Sequence, residues 1–284
     1  MSSKPAILVV SSHVVRGTVG NRAAVFALEA LGYPVWAVPS VVLPWHPGQG
    51  PGHRMTASSE DFDTLVDDLA SSKWLGEVRG LLSGYLGNAS QVDAVARLVS
   101  ALKTKNPDAI YVLDPVLGDH GRLYVSAEQA EAVKQKLLPL ADVATPNVFE
   151  LDYLVGSPGL EKPSDIRQAA QSVGAKASVV TSFPMENAAE TGMLLADQQS
   201  GEWLARHTML PRVPNGLGDL TSALLTVRYL EDHTPDKLLQ DVASGVAQIA
   251  QLAFDRDASE LILEGQGEVL KTPTAPVVTE RLTR

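Results

Sequence analysis

The chain has 284 residues, of which 45% are hydrophobic and 20% charged, values typical of a soluble globular protein with a large core. A net charge of −10 disfavours binding to nucleic acid or an anionic membrane. The absence of cysteine excludes disulfides, thiolate metal sites and cysteine nucleophiles. The N-terminal apolar run covers only residues 6–10, too short for a signal peptide core or a membrane span, so we expect a cytoplasmic protein.

Strand and helix patterns alternate along the chain. Apolar runs predict strands, and helical spacing predicts helices, in the order strand 6–10, helix 21–32, strand 34–40, helix 59–71, strand 78–86, helix 90–105, strand 109–118 and helix 126–141. A short strand and a helix follow in 142–156, then a strand at 178–182, a hairpin at 192–207, a helix opening near Asp219 and a helix at 235–254. This alternation predicts an α/β fold with a mostly parallel central sheet and helices on both faces.

Three further expectations concern the ends and boundaries of elements. Ser126 and Gln129 have the spacing of a capping box at the start of their helix. Residues 41–55 are rich in proline and glycine and predict an exposed loop. No linker divides the chain, so we expect a single domain over residues 1–284, with residues 255–284 assigned to no element.

Polar residues cluster where the predicted strands end. The clusters are Ser11–His13, Ser83–Tyr85, Asp114–Asp119, Thr145–Glu150 and Thr181–Ser182. Because ligands of parallel sheets bind beyond the carboxyl ends of the strands, these clusters predict one shared site.

The segment "NGLGD" places Gly216 and Gly218 ahead of the long apolar helix that Asp219 opens. Glycines let the backbone bring its N–H groups close to a ligand, and the helix N-terminus adds partial positive charge, so the pattern suits a phosphoryl group. Asp219 would then be placed to accept a proton from an attacking hydroxyl. The alternative is structural, with Asp219 as a helix cap beside turn glycines.

A second acidic pattern lies at Asn147 and Glu150, one helical turn apart at the start of a helix. An amide and a carboxylate on one helix face could hold water around a magnesium ion. Glu150 as a first-turn charge stabilised by the helix dipole is an equally good explanation.

Six stretches in order carry a family resemblance: "SHVVRGTVGNRAA", "LLSGYLG", "DPVLGDHGRLYV", "LADVATPNVFEL", "VVTS" and "GLGDLTSALL". Together, from about residue 7 to residue 250, they resemble the pyridoxal kinases of the ribokinase-like superfamily. The resemblance implies a ribokinase-like three-layer fold. It also implies transfer of the γ-phosphate of ATP to the 5′-hydroxyl of pyridoxal, pyridoxine or pyridoxamine in vitamin B6 salvage.

The resemblance assigns roles to individual residues. It implies that Asp219 is the catalytic base, with Gly216 and Gly218 forming the anion hole, and that Ser12 and Tyr85 contact the substrate. The residues implied to contact ATP are Asp114, Asp119, Thr145, Asn147, Glu150, Thr181 and Gly218. Asp114 and Glu150 are implied to support Mg²⁺. The family also uses a monovalent cation such as K⁺, and its members are usually homodimers.

The chain departs from the family pattern in the loop "WHPGQG", where typical members have "NHTGY" or "NHTQY". His46 is retained, but Pro47 replaces the threonine that lies near the substrate in the family. A kinase for another hydroxymethyl heterocycle such as hydroxymethylpyrimidine, or for a sugar, therefore stays open. A non-catalytic pyridoxal-binding carrier is a more remote alternative, which Asp219 and Glu150 disfavour. Two loop arginines, Arg206 and Arg212, could neutralise ATP phosphates or be solvated loop cations.

Overall fold

A computed structural model of the protein describes residues 4–119, 121–157 and 159–283. Its strands in chain order are β1 Ala6–Val14, β2 Val35–Leu43, β3 Met55–Thr56, β4 Val78–Ser83, β5 Ile110–Leu113, β6 Gly118–Asp119, β7 Arg122–Leu123, β8 Val143–Ala144, β9 Ala177–Pro184, β10 Glu190–Asp197, β11 Gly201–Thr208 and β12 Val278–Leu282. The helices are α1 Asn21–Ala30, α2 Ser59–Ser71, α3 Ala89–Lys105, α4 Ala127–Ala132, α5 Val148–Val155, α6 Pro163–Ser172, α7 Leu217–Leu230, α8 Pro235–Asp255 and α9 Gly267–Lys271.

Among the described residues, ten strands form one sheet in the order β12-β11-β10-β9-β8-β5-β4-β1-β2-β3, and β6 and β7 form a separate hairpin. The strands from β9 through β2 run parallel to one another. Antiparallel strands extend the sheet at both edges, β3 on one side and β10 to β12 on the other. The predicted mostly parallel sheet is therefore confirmed.

Strand β1 shows why both faces of the sheet are covered. Ile7 and Val9 join the apolar cluster formed with α1, α7, α8 and α9, whereas Leu8 and Val10 join the cluster formed with α2 to α6. All four side chains are fully buried. A strand that is buried on both faces reads as a continuous apolar run, which is the pattern of residues 6–10.

The predicted helix over 126–141 is divided in the structure. Helix α4 ends at Ala132, a π-helical turn follows over Val133–Leu137, and a 3₁₀ turn over Leu138–Leu140 contains Pro139. Proline removes a backbone donor and crowds the preceding turn, which accounts for the irregular end. The predicted capping box is only half formed: Ser126 accepts from the Gln129 N–H, but the Gln129 side chain donates to Leu86 O at 2.9 Å.

Several elements lie outside the sequence predictions. No element was predicted for α6, and residues 255–284, left unassigned, contain α9 and the edge strand β12, which pairs with β11. The 41–55 segment is mostly loop, although β2 extends to Leu43 and a 3₁₀ turn spans Pro47–Gln49. No helix in the described part of the chain combines the length and apolarity needed to cross a bilayer.

Candidate active site

The carboxyl ends of the parallel strands are joined in series by backbone hydrogen bonds of 2.9–3.0 Å. These run from Gly84 N–H to Val10 O, from Asp114 N–H to Ser83 O, from Thr145 N–H to Leu113 O and from Thr181 N–H to Pro146 O. The polar clusters of the sequence therefore lie side by side along one edge of the sheet, as expected of strands that end in register.

Helix α7 begins at this edge with Gly216 as its N-cap. Gly216 has φ +98°, and a side-chain carbon there would lie 2.4 Å from Thr18 O, so only glycine fits. Asp219 is the third residue of the helix and Gly216 is its N-cap, so the structural alternative, in which Asp219 is the helix cap, is wrong. The first N–H groups of the helix, including those of Leu217 and Gly218, have no intrahelical acceptor, because the helical ladder begins with the Leu220 N–H and Gly216 O.

The Asp219 carboxylate is half-buried in the first turn of α7. Burial raises the pKa of Asp219 to about 6, and hydrogen bonds from the backbone of Gly20 and from its own N–H act in the opposite direction. A carboxylate with this pKa is ionised at neutral pH and is basic enough to take a proton.

Asp114, at the end of β5, lies beside the start of α7. It is 6% exposed, it accepts a hydrogen bond of 3.1 Å from Ser222 Oγ, and a side-chain carbon on Gly218 would lie 3.9 Å from its Oδ2. Burial, together with the negative charges of Glu150 and Asp219, raises the pKa of Asp114 well above its usual range. Three carboxylates thus concentrate negative charge at the mouth of the helix.

Glu150 is buried and joins helix α5 to the loop after β5. Asn147 and Glu150 form a reciprocal capping box, and the Glu150 carboxylate also accepts from the Leu117 N–H at 2.8 Å and the Gly118 N–H at 3.4 Å. Burial raises the pKa of Glu150 to about 7 despite these donors. Glu150 is therefore more than a first-turn charge, because it holds the loop that follows Asp114.

The donor set around Asp114 fits a hard cation. Carboxylates, hydroxyls and carbonyls are the ligands of Mg²⁺ and K⁺, and the clustered negative charge would be relieved by either ion. Thr145 Oγ1 is buried and has no hydrogen-bond partner among the described residues, which leaves an oxygen available. The described residues contain no cluster of three or more metal-binding side chains, so a cation here would take its remaining ligands from phosphate or water.

The residues expected to contact the acceptor include Ser12 and Tyr85. Ser12 is nearly buried, and Gly20 packs against it so closely that a side-chain carbon would lie 2.4 Å from Ser12 Oγ. Tyr85 is half-buried, and its hydroxyl accepts a hydrogen bond of 2.8 Å from Arg54. The Arg54 guanidinium lies 5.4 Å from the centre of the Tyr85 ring and donates to Gly87 O at 2.6 Å. Sequence reasoning did not single out Arg54.

His46 and Pro47 lie in the segment between β2 and β3. The His46 Nδ1 accepts the Gly48 N–H at 3.1 Å, and burial lowers the pKa of His46. Pro47 starts the 3₁₀ turn, and Gln49 at its end donates to Ser259 Oγ at 2.7 Å. This hydrogen bond joins the loop to the C-terminal segment. No pattern in the sequence predicted the contact.

The remaining predicted residues have varied surroundings. Asp119 lies in the β6–β7 hairpin and adds negative charge near Glu150, and Thr181 forms an isolated bridge with Asn147. Arg206 pairs with Glu190 at 2.9 Å, and Arg212 pairs with Asp257. Arg206 lies in strand β11 and not in a loop, and both arginines have acidic partners.

The sequence and the fold are both similar to those of known kinases. The phosphomethylpyrimidine kinase family model matches residues 76–255. A pyridoxal kinase PdxY of Corynebacterium diphtheriae is 32% identical over 280 residues, covering 97% of this chain and 99% of the relative. A solved structure of the Leishmania donovani pyridoxal kinase in complex with ADP superposes with a TM-score of 0.90 at 27% identity, covering 98% of this chain and 99% of that one. The complex of the same enzyme with ADP and pyridoxamine gives the same TM-score and identity, covering 98% and 100% of the two chains.

The fold and the matched family model define a kinase of the ribokinase-like superfamily. Within that class, the extent and identity of the match to its curated relatives show that the chain belongs to the pyridoxal kinase family.

Proposed function

We propose that this chain is an ATP-dependent kinase that phosphorylates the 5′-hydroxyl of pyridoxal to give pyridoxal 5′-phosphate, and that pyridoxine and pyridoxamine are further acceptors. Membership of the pyridoxal kinase family supports the reaction. The ADP and pyridoxamine bound by the Leishmania donovani enzyme support both substrate classes.

The observation that carries this proposal is the position of Asp219 in the first turn of α7, behind the glycine cap and beside Asp114. Asp219 takes the proton of the acceptor hydroxyl as that oxygen bonds to the γ-phosphorus. The bond between the γ-phosphorus and the bridging oxygen of ADP breaks, and ADP leaves. Free N–H groups at the helix mouth donate hydrogen bonds to the moving phosphoryl group and stabilise its negative charge. Positioning and charge neutralisation supply most of such catalysis.

On the nucleotide side, we assign Asp114 and Glu150 as the carboxylates that would support Mg²⁺, with Asp119, Thr145, Asn147, Thr181 and Gly218 around the ATP phosphates. The bound cation would neutralise charge on the phosphates. Because Glu150 already accepts three backbone N–H groups, its part is to fix the loop and, through its remaining lone pairs, to hold water around the ion. We assign a monovalent cation such as K⁺ to the same oxygen-rich region.

On the acceptor side, we assign Ser12, His46, Pro47 and Tyr85 to substrate binding. Ser12 packs against Gly20, whose backbone lies beside Asp219, and Tyr85 accepts a hydrogen bond from Arg54 in the segment that carries His46 and Pro47. We further propose that residues 1–284 form one kinase domain, which the continuous sheet from β3 to β12 supports, and that the domain forms a homodimer. Light scattering after size-exclusion chromatography tests the dimer.

A hydroxymethylpyrimidine is the second candidate acceptor, because Pro47 replaces the family's threonine and the matched family model is that of phosphomethylpyrimidine kinase. A panel of pyridoxal, pyridoxine, pyridoxamine, hydroxymethylpyrimidine and sugars, with ATP, Mg²⁺ and K⁺, separates the two by ADP release. We expect pyridoxal to give the fastest release, with an acceptor-free reaction as the control for ATP hydrolysis. Release with the pyrimidine alone would replace the proposal, and stoichiometric pyridoxal binding without ADP would indicate a carrier.

A further inference from the structure

Glu260, in the C-terminal segment between α8 and α9, is a buried carboxylate with no role in the chemistry described above. Its side chain is 8% exposed, and its Oε2 accepts the backbone N–H of Thr18 at 2.8 Å across 242 residues of sequence. Its Oε1 is buried and has no hydrogen-bond partner among the described residues. Burying a carboxylate costs free energy unless its oxygens are hydrogen-bonded, so packing alone does not explain a glutamate at this position.

The loop over residues 15–20 is fastened to the segment around Glu260 from two sides. Thr18 Oγ1 donates to Leu261 O at 2.5 Å, next to the hydrogen bond that the Thr18 N–H gives Glu260. Gly17 has φ +112°, and a side-chain carbon there would lie 1.9 Å from Glu260 Oε2. Only glycine lets the loop approach the carboxylate this closely.

The fastened loop reaches the reacting groups directly. Two residues beyond Thr18, the Gly20 backbone lies beside the Asp219 carboxylate and acts to lower the pKa of Asp219. Thr18 O itself packs against Gly216, the N-cap of α7. The position of Thr18 therefore sets the contacts made to both the base and the mouth of its helix.

The same segment also fixes the loop that leads into α7. The backbone N–H of Asn215 donates to Ser259 O at 2.9 Å, and the Asn215 side chain donates to the same carbonyl at 3.2 Å. Asn215 and Glu260 form an isolated parallel bridge. The residues on both sides of the base are thus held by residues 259–261.

We propose that Glu260 is a positioning residue for Asp219, which it aligns by holding Thr18 and, through the loop, the Gly20 backbone that lies beside the base. The assignment rests on the proposed function, because Asp219 is the base of that reaction. The Glu260 carboxylate accepts from the Thr18 N–H and its charge acts on His46, so it reaches the base through the loop. Its effect requires an acceptor oxygen at the position of Oε2, which the amide of glutamine also supplies.

The test compares Glu260→Ala and Glu260→Gln with Glu264→Ala, which removes an exposed carboxylate from the same segment. Steady-state kcat, KM for ATP and pyridoxal, and the pH dependence of kcat are measured for each folded variant. We expect Glu260→Ala to lower kcat by about 10- to 100-fold, as small displacements of reacting groups do, with little change in the KM for ATP. Displacement of the Gly20 backbone removes a contact that lowers the pKa of Asp219, so the acid limb of the kcat profile moves to higher pH. Glu260→Gln and Glu264→Ala should retain the wild-type profile.

Thr18→Val supplies a second way to loosen the loop if Glu260→Ala does not fold, because it removes the hydroxyl that donates to Leu261 O and keeps the side-chain shape. A fall in kcat with the same shift of the acid limb supports the assignment. Unchanged kcat and pH profile in the folded loop variants overturn it. Equal losses in Glu260→Gln and Glu260→Ala, confined to the KM for pyridoxal, also overturn it, because Glu260 would then contact the acceptor. The proposed function fails separately, if the wild-type protein does not phosphorylate pyridoxal.

Discussion

Ser222 Oγ donates a hydrogen bond of 3.1 Å to Asp114 Oδ2, which joins the second turn of helix α7 to the end of strand β5. This hydrogen bond fixes Asp114, which we assign to the nucleotide side, relative to helix α7, which carries the proposed base Asp219. Asp114 and Asp219 are therefore held by one rigid unit, close enough for the charge of Asp219 to raise the pKa of Asp114. A fixed separation of this kind suits a reaction whose catalysis depends on positioning.

Asp219→Asn should lower kcat with pyridoxal by about 10²- to 10⁴-fold, the range that a general base contributes. The amide keeps the shape of the side chain but cannot take the hydroxyl proton, so nucleotide affinity should change little. Asp232→Asn is the matched control, since Asp232 is exposed beyond the other end of α7. Turnover by ADP release and nucleotide binding by calorimetry check the result. Near-wild-type turnover would mean that another group is the base.

The pH dependence of kcat/KM should show an acid limb near the pKa of Asp219. Burial raises that pKa to about 6, and the base acts only when ionised, so the rate should fall as pH drops below about 6 and level off above it. Because kcat/KM reports the free enzyme, the profile is measured at substrate concentrations well below KM. In Asp219→Asn the residual rate should lack this limb. The same limb in the variant would assign it to a different group.

Adding Mg²⁺ should stabilise the protein more at pH 8 than at pH 5. The pKa of Glu150 is about 7 in the folded protein against an ordinary value of 4.5, so its contribution to folding is fully present below pH 4.5 and is lost as pH rises through 7. Asp114 and Asp219 shift in the same direction. A bound cation offsets the repulsion among the ionised carboxylates.

Thermal melting at the two pH values, with and without Mg²⁺, measures this difference. Asp114→Asn serves as the comparison, because it removes one of the three charges and should shrink the pH 8 response. A response to Mg²⁺ that is equal at both pH values, or equal in the variant, would place the cation elsewhere.

The layout of the sheet was accessible from sequence because it depends on local patterns. The apolar run of β1 and the helical spacing of α2, predicted at 59–71 and observed at Ser59–Ser71, are set by residues that are neighbours in the chain. The grouping of polar residues at one edge then follows from parallel topology. The sequence predicted that Asp219 lies near the start of a helix, but not that the helix begins two residues earlier. The N-cap is Gly216, and a glycine is required there because Thr18 O, which is distant in sequence, packs against it.

The contacts that complete the site could not be predicted from the sequence, because they join segments that are far apart in the chain and no periodic pattern relates them. Glu260 meets Thr18 across 242 residues, and Arg54 meets Tyr85 across 31. Neither residue belongs to a helical or strand pattern that would assign its partner. The same holds for β12, whose pairing with β11 brings together segments far apart in sequence.

Arg54 and Tyr85 should prove energetically coupled in acceptor binding. The guanidinium donates to the Tyr85 hydroxyl and lies over its ring, so it fixes both the tyrosine and the loop over residues 44–56. Arg54→Ala should raise the KM for pyridoxal by about two- to fivefold, the effect of a cation–π contact at an exposed site, with a smaller change for ATP. A double-mutant cycle with Tyr85→Phe measures the coupling by the departure of the double variant from additivity. Strictly additive effects would show that Arg54 does not act through the Tyr85 hydroxyl.

Pro47→Thr should shift acceptor preference towards pyridoxal. Pro47 begins the 3₁₀ turn behind His46, and the resemblance places a threonine near the substrate at this position. The substitution restores a hydroxyl that can hydrogen-bond a ring substituent, and an oriented polar contact discriminates more strongly than added apolar area. We expect a lower KM for pyridoxal and a larger ratio of kcat/KM for pyridoxal over hydroxymethylpyrimidine. Pro47→Ala is the control, because it also releases the backbone from the proline ring but adds no hydroxyl. If both variants change the ratio equally, the cause is loop flexibility, and the hydroxyl plays no part in choosing the acceptor.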